Sequence, residues 1–348
     1  RRTAEQRDAV LARITPTADH TDLRGCDLVI EAVFEDRAVK AEVTRQAEAQ
    51  LGEQAVFASN TSTLPITSLA QASVRPANFI GLHFFSPVDK MPLVEIIVGA
   101  ATNDETLAKA FDYVLQIGKT PIVVNDSRGF YTSRVFATYV MEGLAMLKEG
   151  VHPRHIEMAG LKAGMPMPPL ALQDEVSLSL GVHVADQTRK DLAAEGRAYV
   201  EHPGETVMRQ LCAIGRVGKK AGRGFYDWSG GDKTLWPGLG ELFPVAAEQP
   251  SQQDLIDRLM FAQANEAARC LQEGVLRSVA DGNVGSILGW GFAPFQGGAL
   301  QYINSVGPAG FVARAHELAA RHGPRFEPAS NIVALAEQGG LFEQRTPN

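Results

Sequence analysis

Up to Asn125 the chain alternates short apolar runs with helix-like stretches, and beyond it the short runs stop. That switch constrains the fold more than any other feature. Asp27-Leu-Val-Ile-Glu-Ala-Val-Phe34 is a brief, nearly continuous apolar run, as in a strand covered on both faces. Ala55–Ala58, Asn78–Phe85, Leu93–Val98 and Pro121–Val124 read as further strands. Arg37–Leu51 reads as a helix ending at Gly52. Asp104–Ile117 reads as an amphipathic helix opened by Asn103 as N-cap and closed by Gly118. Alternation of this kind predicts an α/β layer built on a mainly parallel sheet.

The remainder reads as helical, beginning with a long helix over Gly129–Lys148. A Gly/Pro/Trp-rich stretch, Gly222–Pro250, interrupts the helices and reads as a linker. No charged residue lies between Asp281 and Arg314, but eight glycines, Pro294 and Pro308 break that stretch, so it reads as buried core and not as a membrane span. An internal repeat is visible. Arg134/Arg258, Glu142/Glu266 and Gly150/Gly274 share one offset of 124 (258 − 134, 266 − 142, 274 − 150), and Gly164–Pro169 roughly matches Gly289–Pro294. Two stacked copies of one helical unit are expected, Gly129–Asp227 and Gln253–Ala319, with only the first facing the catalytic cleft.

The expected architecture is therefore α/β followed by all-α: an incomplete Rossmann-type parallel sheet over residues 1–126, a first helical unit over 127–230 and a second over 250–345. A net charge of -7 without a basic stripe argues against nucleic-acid binding. Cys26, Cys212 and Cys270 are far apart with no CxxC, which argues against a disulfide framework or a zinc site and for a reducing compartment. No metal is expected.

Neither GxGxxG nor GxxxxGK[ST] occurs in the 348 residues. A dinucleotide site ordinarily uses such a glycine turn to bring pyrophosphate to a helix N-terminus. The chain begins at Arg1, and Arg1–Ile14 reads as the tail of a charged helix. Either the chain does not bind a dinucleotide, or an N-terminal truncation has removed the turn, with Asp27–Phe34 as the fourth strand of a Rossmann half whose freed edge is exposed, paired with another chain or covered; in the second case the chain alone would bind a dinucleotide weakly.

Two clusters could carry chemistry. His83 ends one strand and Glu95 sits inside Leu93-Val-Glu-Ile-Ile-Val98. A carboxylate in a buried strand needs a partner, and pairing with an imidazole fixes the tautomer that a general base requires. On spacing alone, a satisfied core histidine with an edge-strand glutamate is the commoner arrangement. The second cluster, Ser59-Asn-Thr-Ser-Thr63, follows a strand, where open α/β sheets bind ligands; it reads equally as a hydroxyl-capped turn before Pro65.

Phe57–Thr67, Gly81-Leu-His-Phe-Phe-Ser-Pro…Leu-Val-Glu-Ile-Ile97, Arg128-Gly-Phe-Tyr-Thr-Ser-Arg134 and Gly218-Lys-Lys-Ala-Gly-Arg-Gly-Phe-Tyr226 together resemble the L-3-hydroxyacyl-CoA dehydrogenase family. The second helical copy, with Gly289-Trp-Gly-Phe-Ala-Pro294, is similar to the branch found in the multifunctional alpha subunits of fatty-acid oxidation complexes. The resemblance implies NAD-dependent oxidation of (3S)-3-hydroxyacyl-CoA, with His83 and Glu95 as the catalytic pair. It implies substrate contacts from Ser62 and Ser133, with Tyr302 a further candidate for lining the acyl tunnel. It implies a cofactor cleft lined by Val33, Phe34, Glu35, Lys40, Asn60, Ser62, Ser86 and Lys220. It also implies an acyl-CoA substrate, a thiolase subunit as partner, and the bacterial cytoplasm, or the mitochondrial matrix in a eukaryote. Two positions depart from the family: Ser133 replaces its usual Asn, and Ser86 stands where single-domain members carry Asn.

Two rival readings are a truncated, non-catalytic acyl-CoA-binding or assembly module and another β-hydroxyacid dehydrogenase, such as one of the 6-phosphogluconate type. The latter places a lysine on the interdomain helix, where Gly129–Lys148 offers one only at its end.

Overall fold

The computed structural model describes residues 3–229 and 232–343. Arg1 and Arg2, Gly230 and Gly231, and residues 344 and 345 at the end of the expected second unit lie outside them. Helix α1 (Ala4–Leu11) buries no residue. The sheet follows, with β1 (Leu28–Glu31), β2 (Val56–Ser59), β3 (Phe79–Phe84), β4 (Leu93–Val98) and β5 (Thr120–Asn125) in the order β1-β2-β3-β4-β5. The pairs are parallel except β3–β4, which is antiparallel. Residues 85–92 joining β3 to β4 include no helix, too little chain for a parallel crossover. Strand β1 is the sheet's edge, and nothing among the described residues pairs with its outer side.

Helices α2 (Arg37–Glu48), α3 (Ile66–Leu69) and α4 (Asp104–Gln116) connect the strands. Asp36 caps α2 by accepting from Ala38 and Val39, and Asn103 caps α4 by accepting from Thr106 at 2.8 Å, as expected. The strands alternate between two cores. Val56, Ala58, Ile80, Leu82, Val94 and Ile96 pack beneath α4. Phe57, Phe79, Leu93 and Ile97 face the other way and merge with the helical half. His83 and Glu95 share the parity of this second set, so the sheet presents them to the helices.

The first helical unit comprises α5 (Thr132–Lys148), α6 (Pro153–Lys162), α7 (Pro169–Val176), α8 (Leu178–Ala194) and α9 (Pro203–Ala213). The stretch read as a linker is instead packed structure. It forms a hairpin, β6 (Tyr226–Ser229) and β7 (Asp232–Leu235), and a short α10 (Leu239–Leu242). Phe225, Tyr226, Leu239 and Phe243 are buried, and the carboxylate of Asp174 accepts from Phe225 N, Tyr226 N and Trp228 Nε1 at 2.8–2.9 Å. These buried aromatics and their bonds to Asp174 set the stretch apart from a linker.

The second unit repeats the order with α11 (Gln252–Gln272), α12 (Val279–Trp290), α13 (Ala299–Val306), α14 (Pro308–His322) and α15 (Ser330–Gln338). The α7–α8 junction turns at Ser177 (φ 85°) and the α13–α14 junction at Gly307 (φ 84°). The uncharged stretch is only partly buried, which corrects the expectation: Asn283, Ser286, Trp290, Phe292, Leu300 and Ile303 are buried, while Phe295 is 72% exposed. A Cβ on Gly285 would lie 2.7 Å from Ile122 Cδ1, and one on Gly289 3.0 Å from Leu93 Cδ2, so glycine is what lets α12 close onto β4 and β5. No helix among the described residues is long and apolar enough to cross a membrane.

Candidate active site

His83 and Glu95 are register partners across the antiparallel β3–β4 pair, and cross-strand neighbours project from the same face. His83 Nδ1 lies 3.0 Å from Glu95 Oε2. The carboxylate is fully buried and accepts three further bonds, all from the start of α5. Tyr131 N and Thr132 N donate to Oε1 at 3.0 Å each, and Thr132 Oγ1 donates to Oε2 at 2.5 Å. The chain reaches this position through Gly129 (φ 71°) and Phe130 (φ 50°), a left-handed turn that brings the first amides of α5 round to Glu95. Every bond at this carboxylate ends on an acceptor oxygen, so His83 Nδ1 is the donor in its contact with Oε2, which leaves Nε2 as the ring's acceptor nitrogen. Nε2 has no hydrogen-bond partner among the described residues. The rings of Phe85 and Phe130 stand 4.4 and 6.2 Å from the imidazole.

A second polar cluster sits at the carboxyl ends of β1 and β2. Glu35 Oε1 accepts from Thr61 Oγ1 (2.6 Å), Thr63 Oγ1 (3.0 Å) and the amides of Ser62 and Thr63. Burial by itself raises the Glu35 carboxyl, but the hydrogen bonds from Thr61 and Thr63 and the Lys40 charge outweigh it and hold it below its ordinary range. The buried Lys40 bridges Glu31 (3.0 Å) and Glu35 (3.4 Å). Asn60 Oδ1 accepts from Phe84 N at 2.8 Å and ties this loop to the end of β3, one residue past His83. Within the Ser59–Thr63 segment Thr61 Oγ1 accepts from Thr63 N and Leu64 N, a hydroxyl-held turn, whereas the first amides of α3 donate to Asp126 and not to this segment.

Ser62, Thr63 and Ser133 line one end of a cavity of about 470 Å³. It follows α5 past Phe136, Ala137, Val140 and Met141, with Leu180 and Val184 of α8 opposite, and also reaches Glu142, His202 and Glu205. Burial, only partly offset by Glu142, pushes His202 down to about 4, so this polar part carries a neutral imidazole. The second unit also contributes Ala262, Arg269 and Arg325 to the lining, in which neither His83 nor Glu95 takes part.

Three expected residues, Tyr302, Lys220 and Ser86, lie outside these clusters. Tyr302 is not on the cavity wall; it is buried in an aromatic cluster of the second unit with Phe261, Phe292 and Phe311 at 6.0–6.5 Å. Lys220 is exposed on the turn 219–221 and makes none of the site's hydrogen bonds or ion pairs. Ser86 is exposed just past β3. Val33 and Phe34 are exposed beyond β1, Phe34 at 85%. Thr132 was missed, because a threonine at a helix start carries no local sign that it reaches a carboxylate 37 positions away.

Residues 1–127 match the family of the 3-hydroxyacyl-CoA dehydrogenase NAD binding domain, and residues 129–228 match that of the 3-hydroxyacyl-CoA dehydrogenase C-terminal domain. Among curated relatives, the fatty acid oxidation complex subunit alpha of Shewanella halifaxensis is 40% identical over 342 residues, covering 97% of this chain and 47% of its own length. That of Shewanella frigidimarina is 38% identical over 346 residues, covering 97% and 48%. The chain thus spans about half the length of the curated relatives it matches. A 3-hydroxybutyryl-CoA dehydrogenase structure from Escherichia coli aligns with a TM-score of 0.80 at 26% identity, over 97% of this chain and 87% of that one. A (S)-3-hydroxybutyryl-CoA dehydrogenase structure from Ralstonia eutropha aligns with a TM-score of 0.60 at 35% identity, over 66% and 80%.

Proposed function

The chain belongs to the 3-hydroxyacyl-CoA dehydrogenase family, and from that premise we propose that it oxidises (3S)-3-hydroxyacyl-CoA to 3-oxoacyl-CoA with NAD, as part of a multifunctional enzyme of fatty-acid β-oxidation. The observation that carries the reading is the His83–Glu95 pair, with Nδ1 engaged at 3.0 Å and Nε2 without a partner among the described residues. His83 Nε2 takes the proton of the substrate's 3-hydroxyl, and the Glu95 carboxylate stabilises the imidazolium that results. Ser62 and Ser133 stand at the cavity rim with hydroxyls that position the substrate oxygen, and the acyl chain lies along α5. Ser133, shorter than the family's Asn, offers one donor where an amide offers two.

NAD supplies the hydride acceptor when bound. The residues present suit its nicotinamide half: Glu35, Asn60 and Ser62 sit together at the carboxyl ends of the strands, where an open α/β sheet receives a ligand, with Lys40 holding Glu35 in place. The exposed Val33 and Phe34 form an apolar rim beside them. Neither Ser86 nor Lys220 joins this cluster, and no glycine-rich turn for pyrophosphate occurs in the sequence. We assign residues 1–126 to cofactor binding, 127–230 to substrate binding, and 250–345 to a second helical unit that buttresses the first.

The curated relatives are named as subunits of a complex. A 3-oxoacyl-CoA product calls for a thiolase as the next catalyst, and a thiolase subunit is the partner we propose, in the bacterial cytoplasm. The 6-phosphogluconate-type reading loses ground because α5 carries only Lys148, at its far end. NADH formation from (3S)-3-hydroxyacyl-CoA by the full-length protein tests the proposal. Acyl-CoA binding without any NADH would favour the non-catalytic module.

A further inference from the structure

Resting on the reading above, we infer that Thr132 is a positioning residue of the reaction, acting through Glu95 on His83, and that the second helical unit holds it in place. Four donors meet the Glu95 carboxylate, and they divide two and two. Oε1 is held by the amides of Tyr131 and Thr132, which anchor the group to the start of α5. Oε2 is shared between His83 Nδ1 at 3.0 Å and Thr132 Oγ1 at 2.5 Å. The two amides fix where the carboxylate sits. They do not fix its twist about the last side-chain bond, which decides whether Oε2 points along the imidazole N–H. Thr132 Oγ1 supplies that restraint, because its short bond ends on the same oxygen.

Thr132 is itself clamped. It is buried, and the position of a Cβ on Gly289 lies 3.3 Å from its Cγ2 methyl, so α12 leaves room for that methyl and little else. The neighbouring Tyr131 is tied to the same helix. Its hydroxyl donates to Gly282 O at 2.6 Å, and its ring meets Trp290 edge-on at 5.4 Å. With its methyl against α12, Thr132 directs its hydroxyl toward Glu95. The second unit therefore reaches the reacting base through Gly289, Thr132 and Glu95 in turn.

The test is Thr132→Val, nearly isosteric but without the hydroxyl, set against Thr132→Ser, which keeps the hydroxyl and loses the methyl. In the full-length protein, Thr132→Val should lower kcat on the order of tenfold with KM changed less than about twofold, and Thr132→Ser should recover most of the loss. The ¹⁵N spectrum of the His83 imidazole gives a readout independent of turnover. It should show the Nδ1–H tautomer alone in the unsubstituted protein and in Thr132→Ser, and a mixture of tautomers in Thr132→Val. Unchanged kcat and an unchanged spectrum in Thr132→Val would overturn the inference, as would a Thr132→Ser variant as impaired as Thr132→Val. If Thr132→Val does not fold, Thr132→Ala is compared with Thr132→Ser by the same two measurements. A protein that forms no NADH at all refutes the proposed function, and the His83 spectrum still decides the role of Thr132.

Discussion

Arg134 and Arg258 stand in equivalent places of the two helical units, and each donates to the other's unit with the same atoms. Arg134 Nε meets Glu266 Oε1 at 2.5 Å while its two terminal nitrogens meet Glu273 at 2.6 and 3.1 Å. Arg258 Nε meets Glu142 Oε1 at 2.7 Å while its terminal nitrogens meet Glu149 at 2.6 and 3.1 Å. Every partner is displaced by 124 (258 − 134, 266 − 142, 273 − 149). Packing α5 against α11 thus makes a contact with local two-fold symmetry inside one chain. The symmetry is imperfect in burial: the Arg258 side chain is 1% exposed and that of Arg134 21%.

That asymmetry sets the first prediction. Removing one partner of a buried ion pair strands the other charge and costs about 3–5 kcal/mol, whereas a partly solvated pair contributes about 1 kcal/mol. Arg325 also donates to Glu142, at 2.7 Å, so Arg258→Met should fall near the lower end of the larger range. Denaturant titration should rank Arg258→Met well below Arg134→Met in stability. Equal losses would mean that burial does not govern these pairs.

Glu157 gives the pH dependence. It is buried on α6, accepts from Leu170 N at 2.8 Å and makes a short contact with the Tyr226 hydroxyl. Burial pushes its carboxyl up to about 7, from an ordinary value of 4.5. Between those values the folded protein holds a proton that the unfolded chain has released. Its contribution is therefore fully present below about 4.5 and is lost as pH rises through about 7, a swing of roughly 3 kcal/mol at most. Glu157→Gln keeps the neutral state at every pH. Urea midpoints measured near pH 5 and near pH 8 should differ less in this variant than in the parent protein.

For the base, His83→Gln preserves a donor to Glu95 but offers no basic nitrogen. Turnover should fall by about 100-fold or more with the melting temperature nearly unchanged. Near-normal NADH formation would remove His83 from the chemistry.

For the cavity, Ala137 faces the channel beside α5, one turn from Ser133. Ala137→Phe should block the acyl path while sparing the rim. The value of kcat/KM for 3-hydroxydodecanoyl-CoA should fall on the order of tenfold more than for 3-hydroxybutyryl-CoA. Parallel losses for both substrates would place the acyl chain elsewhere.

Much of this molecule was legible in its residues. Leu93–Val98 reads as a strand and is one, Asn103 and Gly118 bracket α4 as their chemistry dictates, and the offset of 124 announced the second unit. These features are local: periodicity, caps and repetition are properties of neighbours along the chain. The Trp/Gly-rich stretch misled because a packed hairpin and a linker use the same turn residues. Only the burial of Phe225 and Tyr226 distinguishes them. Tyr302 misled because an aromatic in an apolar stretch fits a core as well as a tunnel.

What the sequence determined alone is which faces are apolar, where elements start and stop, and that two helical units share one design. It also supplied the unpaired carboxylate of Glu95 and a histidine to meet it. Only the tertiary structure decided the register that sets His83 opposite Glu95, and the approach of α5 that adds Thr132 to the same oxygen. It likewise decided that α12, from the other unit, should press on Thr132. The physical reason is that hydrophobic burial is non-directional. It selects a face and leaves the partner open, and the partner is settled by close packing and by the demand that every buried polar group be satisfied.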